Sequence, residues 1–550
     1  FERLVPPSRY FADHPEYFSE LNGIRMRDGQ LCLSNPEVLR VTIDALRRMM
    51  AEKPEATYWS VSQNDNVNYC TCEKCQALDQ TYGGHAGSLL AFVNQVAAQF
   101  PDKVISTLAY QYTRQAPVGI KPADNVNIMF CSIECNRSQP LAVDPGEAAF
   151  RRDIESWGKL TDNILVWDYV VQFRNYLDPF PNLHVLQPNL QFFRDNNCRL
   201  MFQQGSGHSI TEFHELRTYL IAKLLWNPDV DLAAVRRDFL CGYYGKASRF
   251  IEQYIDRMHE ALIASGQRLD IYGYPYDAVK SYLTPTLLGD YETLFGDAEA
   301  AVADDPGRLH RVKRARLPIE FAILDISLHD VNRELTFISR DDDSIAPNRK
   351  MLARLDAFVR ACKKNGIERL EEQGYSPEQY KADIVKYVDK AGRPNLVAGK
   401  PVAVATTWSE KYPAGGAAAL TDGKFGMTNY RYNWLGFENA DLEAVIDLGE
   451  MQAIHHLSAD FLQHPLDWVF LPRWVDFALS EDGRNFEPVH HLVHDVPPDS
   501  GKIFLHTFQA SANRRARYIK ISAASLKVCP PWHRGAGQPA WIFVDEVMVN

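Results

Sequence analysis

The sequence predicts two folds in one chain: an α/β region of parallel strands in the first half and an all-β sandwich at the end. A helical stretch separates them. Three observations lead there. Up to about residue 245, short apolar runs alternate with helix-like stretches, the pattern of β/α units. Residues 246–390 read as long amphipathic helices. Beyond Ala391-Gly392-Arg393-Pro394, short β-rich runs alternate with turns such as Thr421-Asp422-Gly423 and Glu481-Asp482-Gly483, with almost no helical periodicity left. The expected regions are therefore 1–245, 246–390 and 391–550.

Six runs in the first region read as strands: 30–33, 56–61, 103–110, 126–133, 163–170 and 199–203. Helical segments such as 36–52 and 88–99 lie between them, and a further helix over 212–226 is stopped by Asn227-Pro228. Six strands are two fewer than a (β/α)8-type barrel needs. The expectation is such a barrel with its first units upstream of Phe1, or an incomplete one. Helices expected over 247–264, 285–303, 308–337 and 347–365 form a layer on the barrel, the last opening on Pro347, which suits a first helical position.

Composition removes several classes of function. A net charge of −11 argues against a nucleic-acid partner, since phosphate binding needs clustered Lys and Arg. No run of about 18 uncharged apolar residues is present, so no membrane span is expected. Gly205-Ser206-Gly207 lacks the Lys of a phosphate loop, and there is neither a G-x-S-x-G nor an H-E-x-x-H motif. Of the ten cysteines, Cys70-x-Cys72-x-x-Cys75 form a cluster. A metal there needs a fourth ligand, with His85, Cys131 and Cys135 as candidates; otherwise the cluster is a local disulfide or plain thiols. Cys32, Cys198, Cys241, Cys362 and Cys529 are scattered and read as mostly buried free thiols.

The chemistry gathers at the strand ends, where a barrel of parallel strands places its active site. The run Asn127 to Arg137 delivers Glu134, Asn136 and Arg137 within four residues. Other runs end on Asn64 and Asp65, on Tyr110 and Tyr112, on Trp167, Asp168 and Tyr169, and on Gln204 and His208. Carboxylates supply acid and base chemistry for sugars, amides and Tyr hydroxyls read sugar hydroxyls or an acetamide, and Trp stacks on a ring face. Each also has an ordinary structural role. Glu134 can be satisfied by Arg137, Asp65 can serve a turn, and Asp168 can hold a backbone amide. Glu212 and Glu215 suit a helix start, and His208 suits a hydrogen-bonded loop. Their clustering at one end favours a site.

Two resemblances sharpen this. The segments Asn395-Leu396-Val397-Ala398-Gly399-Lys400-Pro401-Val402, Ala419 to Gly423, Ala444 to Gly449, Phe477 to Gly483, Ala516 to Ile521 and Phe543 to Val547 resemble a coagulation factor 5/8 type C (discoidin) domain, of the kind grouped with carbohydrate-binding module family 32. The resemblance implies a discoidin-like β-sandwich with a structural calcium between Asp422 and Glu546, and Trp408, Trp434, Trp468 and Trp532 as candidates for its sugar-binding loops. The segments Val5 to Phe11, His14 to Phe18, Gln30 to Pro36, Val61 to Asp65 with the cysteine cluster, Glu134 to Ser138 and Ala222 to Trp226 resemble a family first defined as a domain of unknown function and now including glycoside hydrolase family 163. It implies a barrel related to hexosaminidases and α-glucuronidases, and endo-β-N-acetylglucosaminidase activity on N-glycans.

The resulting expectation is a retaining glycoside hydrolase for β-linked N-acetylglucosamine that needs no catalytic cofactor. Glu134 is the general acid/base. The substrate acetamide serves as nucleophile, oriented by Asp65 or Asp168. Asn64, Tyr110, Tyr112, Asn136, Arg137, Trp167, Tyr169, Gln204 and His208 are the expected sugar contacts. The partner is a glycan or glycoprotein, and export to the periplasm, cell surface or medium is expected although no signal peptide is visible. An exo-hexosaminidase is an alternative. So are an α-glucuronidase clamping its uronate with Arg114, Arg137 and Arg174, and a non-catalytic glycan-binding protein.

Overall fold

The computed structural model describes residues 1–207, 209–329, 335–341, 344–372, 374–497, 499–533 and 535–550. It divides into two compact units, residues 1–332 with 360–376 and residues 333–359 with 377–550. In the first unit, five strands form one parallel sheet: β1 (Tyr58–Ser60), β2 (Val104–Ala109), β3 (Val126–Cys131), β4 (Ile164–Tyr169) and β5 (Cys198–Gln204). Their order in space is their order in sequence. The sheet therefore has no point where strand order reverses, unlike doubly wound folds.

Two expectations change here. Residues 30–33 add only a bridge between Leu31 and Phe18. The Gln30 amide instead donates to the carbonyls of Asn64 and Asn66, at 2.8 and 2.7 Å, so this run braces a loop rather than joining the sheet. A closed eight-stranded barrel is also not seen among the described residues, where β1 and β5 are the edges of a five-stranded sheet.

Strand alternation sorts the sheet into two faces. Trp59, Val61, Ile105, Ala109, Ile128, Phe130, Ile164 and Val166 enter a core with Val38 and Val41 of the helix Pro36–Glu52, Leu89 and Val93 of His85–Ala97, and Phe150 and Ile154 of Ala148–Leu160. Asn35 caps the first of these helices by accepting from the Glu37 amide, with Pro36 at its first position. The opposite face carries Tyr58, Leu108, Met129, Leu165, Trp167, Leu200 and Phe202, and it is the wetter one: Tyr58, Leu200 and Phe202 are exposed.

The helices Ser248–Ser265 and Pro285–Ala301 form close to their expected bounds. The long helix expected over 308–337 is instead two, Pro306–Ala315 and Leu317–Ile326. Pro318 explains the break, because its missing N–H is tolerated only in a first turn. The ribbon Ile338–Asp341/Ser344–Pro347 follows, so Pro347 ends a strand instead of opening the helix Arg349–Lys364.

The second unit is built on an antiparallel sheet of seven strands. They are β6 (Val402–Val404), β7 (Leu435–Glu438), β8 (Leu442–Gln463), β9 (Val475–Ser480), β10 (Glu487–Leu492), β11 (Phe504–Ala523) and β12 (Trp541–Val549). The two longest, β8 and β11, pair with register shifts at Asp447/Gln452 and Ile454/His456. Such irregularities bend a strand, and β8 and β11 thereby serve two layers. Before the shift β8 pairs with β6, and the matching end of β11 pairs with β9. After it, β8 pairs with β12. Leu442, Ala444, Ile446, Ile519 and Ile521 from one layer pack with Leu457, Phe461, Phe508 and Val544 from the other. That is the expected β-sandwich. The helix Pro377–Ala391 belongs to the same unit.

Candidate functional site

The carboxyl ends of the strands bring several groups together. Asp65, exposed on the loop after β1, accepts a 3.0 Å hydrogen bond from the Tyr110 phenol, which follows β2. Gln111 Nε2 donates to the same phenol oxygen at 3.0 Å. Gln111 adopts a left-handed backbone with φ of 51°, and its buried Oε1 has no hydrogen-bond partner among the described residues. Strain of this kind gathers where a side chain must be aimed.

Cys131 ends β3, and its thiol is pushed up to about 12, by burial first and then by the charge of Glu134, with Asp65 adding and a hydrogen bond to Tyr169 opposing. Glu134 lies on the turn beyond it with its side chain 42% exposed, 3.3 Å from Arg114, which also holds Asp153 at 2.9 Å. Tyr169 and Trp167 stack at 6.1 Å and 13°, and Trp167 Nε1 donates to Gln204 Oε1 at 2.6 Å. Burial raises the phenols of Tyr110 and Tyr169, and both also sense the Asp65 charge.

Two further members come from far along the chain, in stretches expected only to pack. Tyr272 is raised by burial, then by Glu372 and Asp65. The Glu372 carboxyl is raised by partial desolvation, then by the Asp65 charge, while Arg174 opposes. Neither carries a local sequence signal, because each reaches the site only through tertiary folding.

Several expected contacts serve the scaffold instead. Asp168 sits on the helix-packing face, 6% exposed, accepting from Ser132 Oγ at 2.5 Å and Gln203 Nε2 at 3.3 Å, with Arg137 at 3.6 Å. It alternates with Val166, away from Trp167 and Tyr169. Arg137 is 2% exposed, and its guanidinium donates to the carbonyls of Tyr169, Cys135 and Ser132. It therefore neither satisfies Glu134 nor clamps a uronate. Asn136 is buried between Asp144 and the backbone of Ser138 and Leu269. Asn64 is spent on Gly29, Gln30 and the Glu2 amide. Tyr112 faces Tyr69 and His85, ring to ring at 5.2 and 5.7 Å, where burial and then Asp79 raise its phenol. Glu212 is buried, with its carboxylate taking the Phe180 amide and the Tyr254 phenol, and Glu215 pairs with Arg314. His208 lies outside the described residues.

In the second unit, Glu546 is 1% exposed and accepts from Asn395 Nδ2 at 3.0 Å and the Gly423 amide at 2.9 Å. Asp422 accepts from the Lys424 amide at 2.9 Å. Both carboxylates thus border one turn, and oxygen donors of this sort suit calcium. Of the four candidate tryptophans, Trp434 is core, Trp408 and Trp468 are half-buried, and Trp532 is 40% exposed. A groove of about 770 Å³ on the same unit is lined by residues including Lys390, Phe425, His456, Asp460, Gln509 and Glu546. Among the described residues no helix is long and apolar enough to cross a membrane.

Residues 1–256 match the model of a family described as a domain of unknown function (DUF4838). No curated protein matches the chain. Among solved structures, the chain is similar to chitosan-binding module 1 of a chitosanase/glucanase from Paenibacillus sp. IK-5, at 14% identity over 29% of this chain and 99% of that one, with a TM-score of 0.20. A CBM32 module from Clostridium perfringens in complex with GalNAc-β-1,3-galactose matches at 19% identity over 28% and 99% of the two chains, TM-score 0.19. A fucose binding module of Streptococcus pneumoniae matches at 16% identity over 29% and 95%, TM-score 0.19.

Proposed function

We propose that the first unit is a retaining glycoside hydrolase cleaving β-linked N-acetylglucosamine in glycans, endo-acting on N-glycans, and that the second unit is a glycan-binding sandwich. The observation that carries this is the convergence of Asp65 and Glu134. Both are exposed, and they come from loops that follow different strands at the carboxyl edge of one sheet, Asp65 held by Tyr110 and Glu134 by Arg114. Around them stand phenols and a stacked Trp167/Tyr169 pair, the groups that hydrogen-bond and stack on sugars.

In this mechanism Glu134 protonates the glycosidic oxygen and then activates water. Arg114, 3.3 Å away, holds its carboxylate in place. Asp65, held by Tyr110, orients the substrate acetamide so that its carbonyl oxygen attacks, as in substrate-assisted retaining enzymes. No cofactor enters the chemistry. Calcium between Asp422 and Glu546 would brace the sandwich, and a glycan partner accords with an exported protein.

A second assignment of the acid is favoured by one observation: the raised carboxyl of Glu372, beside the Asp65 charge. A carboxyl raised by its surroundings beside a second acid is the usual arrangement of a glycosidase acid. Wild type, Glu134→Gln and Glu372→Gln, assayed on N-glycoproteins and an aryl N-acetylglucosaminide with mass-spectrometric product analysis, separate the two. Loss of about 10²–10⁴-fold marks the acid. Glycan binding without turnover in the wild type would reduce the protein to a binding module.

A further inference from the structure

Cys32 joins Cys70, Cys72 and Cys75, with all four Sγ atoms within 4.8 Å of one another. Cys32 Sγ lies 3.7 Å from Cys72 Sγ and 3.8 Å from Cys75 Sγ. The three fourth ligands expected from the sequence are not among these four. His85 is hydrogen-bonded to Asp79, Cys131 is at the strand-end site, and Cys135 is buried in the main core.

We propose that these four cysteines bind one zinc ion as a structural site. Zinc–thiolate bonds of about 2.3 Å at tetrahedral angles place the sulfurs about 3.8 Å apart, which matches the two distances from Cys32 Sγ. A disulfide would need two of them at about 2.05 Å. An iron–sulfur cluster also uses four cysteines, but its irons and sulfides stand between the ligands and force the sulfurs well apart. One ion at the centre fits four sulfurs this close together.

The surroundings suit bound thiolates. The Glu20 amide donates to Cys70 Sγ at 3.3 Å, and Arg25 Nη1 lies 3.9 Å from the same sulfur. Cys72 occupies the N-cap position of the helix Glu73–Thr81, so Cys72 and Cys75 sit at its positive end. Three of the four cysteines are buried, and they form a small sulfur cluster separate from the main core. The ligands come from two segments 38 residues apart at their closest, Cys32 and Cys70. A metal would staple the Tyr17–Leu33 stretch to the loop that carries Asp65. The Gln30–Asn64 hydrogen bonds already tie the other end of that loop. The metal thus acts at a distance from the chemistry and contributes folding energy, as structural zinc sites do.

The test begins with the full-length wild type, expressed with zinc and purified without chelators. Elemental analysis is expected to find about one zinc per chain, released by a mercurial thiol reagent into a colorimetric zinc indicator. Cys72→Ser is expected to lose the metal. Cys198→Ser, a buried cysteine outside the cluster, is expected to keep it. If Cys72→Ser fails to fold, cobalt substitution of the wild type keeps the proposal exposed, because four thiolates around cobalt give the intense visible absorption of a tetrahedral site. Zinc below a tenth of an equivalent, equal zinc in both variants, iron in its place, or a Cys70–Cys75 disulfide by non-reducing mass spectrometry would each overturn the assignment.

Discussion

Replacing Asp545 by Asn should stabilise the sandwich, and increasingly so as pH rises. Asp545 lies on β12 with no solvent exposure. Its Oδ2 accepts from the Gly426 amide at 2.8 Å, and its Oδ1 is buried without a hydrogen-bond partner among the described residues. Burial raises its carboxyl from 3.8 to about 7, with Lys390 the largest opposing influence. Because the folded value is raised, the folded state binds the proton more tightly than the unfolded chain. Its contribution to stability is therefore fully present below pH 3.8 and is lost as the pH rises to about 7. The full loss is on the order of 4 kcal/mol, and roughly 2–3 kcal/mol of it falls between pH 5 and 8. Asn keeps an oxygen for the Gly426 amide and carries no charge to bury, so it escapes this loss. Melting temperatures of wild type and Asp545→Asn by calorimetry across that range should diverge by roughly 5–10 °C for a unit of this size. Parallel curves, or a wild type that gains on the variant as pH rises, would refute the reasoning.

Other outcomes are as definite. If Glu372 is the acid, kcat/KM falls as pH rises through its raised pKa, and Glu372→Gln abolishes that alkaline limb along with most of the activity; a limb that survives in the variant clears Glu372. Tyr110→Phe removes the 3.0 Å hydrogen bond to Asp65 and should cost about 1.5–3 kcal/mol in kcat/KM with little change in melting. Arg137→Met strips the nearest cation from buried Asp168 and should destabilise the first unit by about 3 kcal/mol, read by denaturant unfolding. If calcium bridges Asp422 and Glu546, adding it to chelated protein raises the melting temperature of wild type and leaves Glu546→Gln unmoved.

How much could be read locally differs between element and site. Five of the six strand runs form because each apolar run is bounded by turn residues, and the helix at Pro36–Glu52 matches its expected bounds since Asn35 and Pro36 mark its start. Residues 30–33 look like a strand by hydrophobicity, yet Gln30 is drawn into a loop whose other half begins 34 residues later, at Asn64. Glu134 and Asp65 were legible as strand-end acids. Asp168 looked equivalent, but one step in register turns it to the opposite face from Trp167 and Tyr169.

By itself the sequence determined the alternation of β and α in the first half, the all-β end and the positions where strands deliver acids, because periodicity and turn chemistry are local. Tertiary structure alone decided that Cys32 joins the other three cysteines, that Glu372 and Tyr272 come within reach of the Asp65 charge, and that Arg137 is spent on backbone carbonyls. Each of these depends on segments distant in sequence meeting in space, and residue spacing carries no record of such meetings.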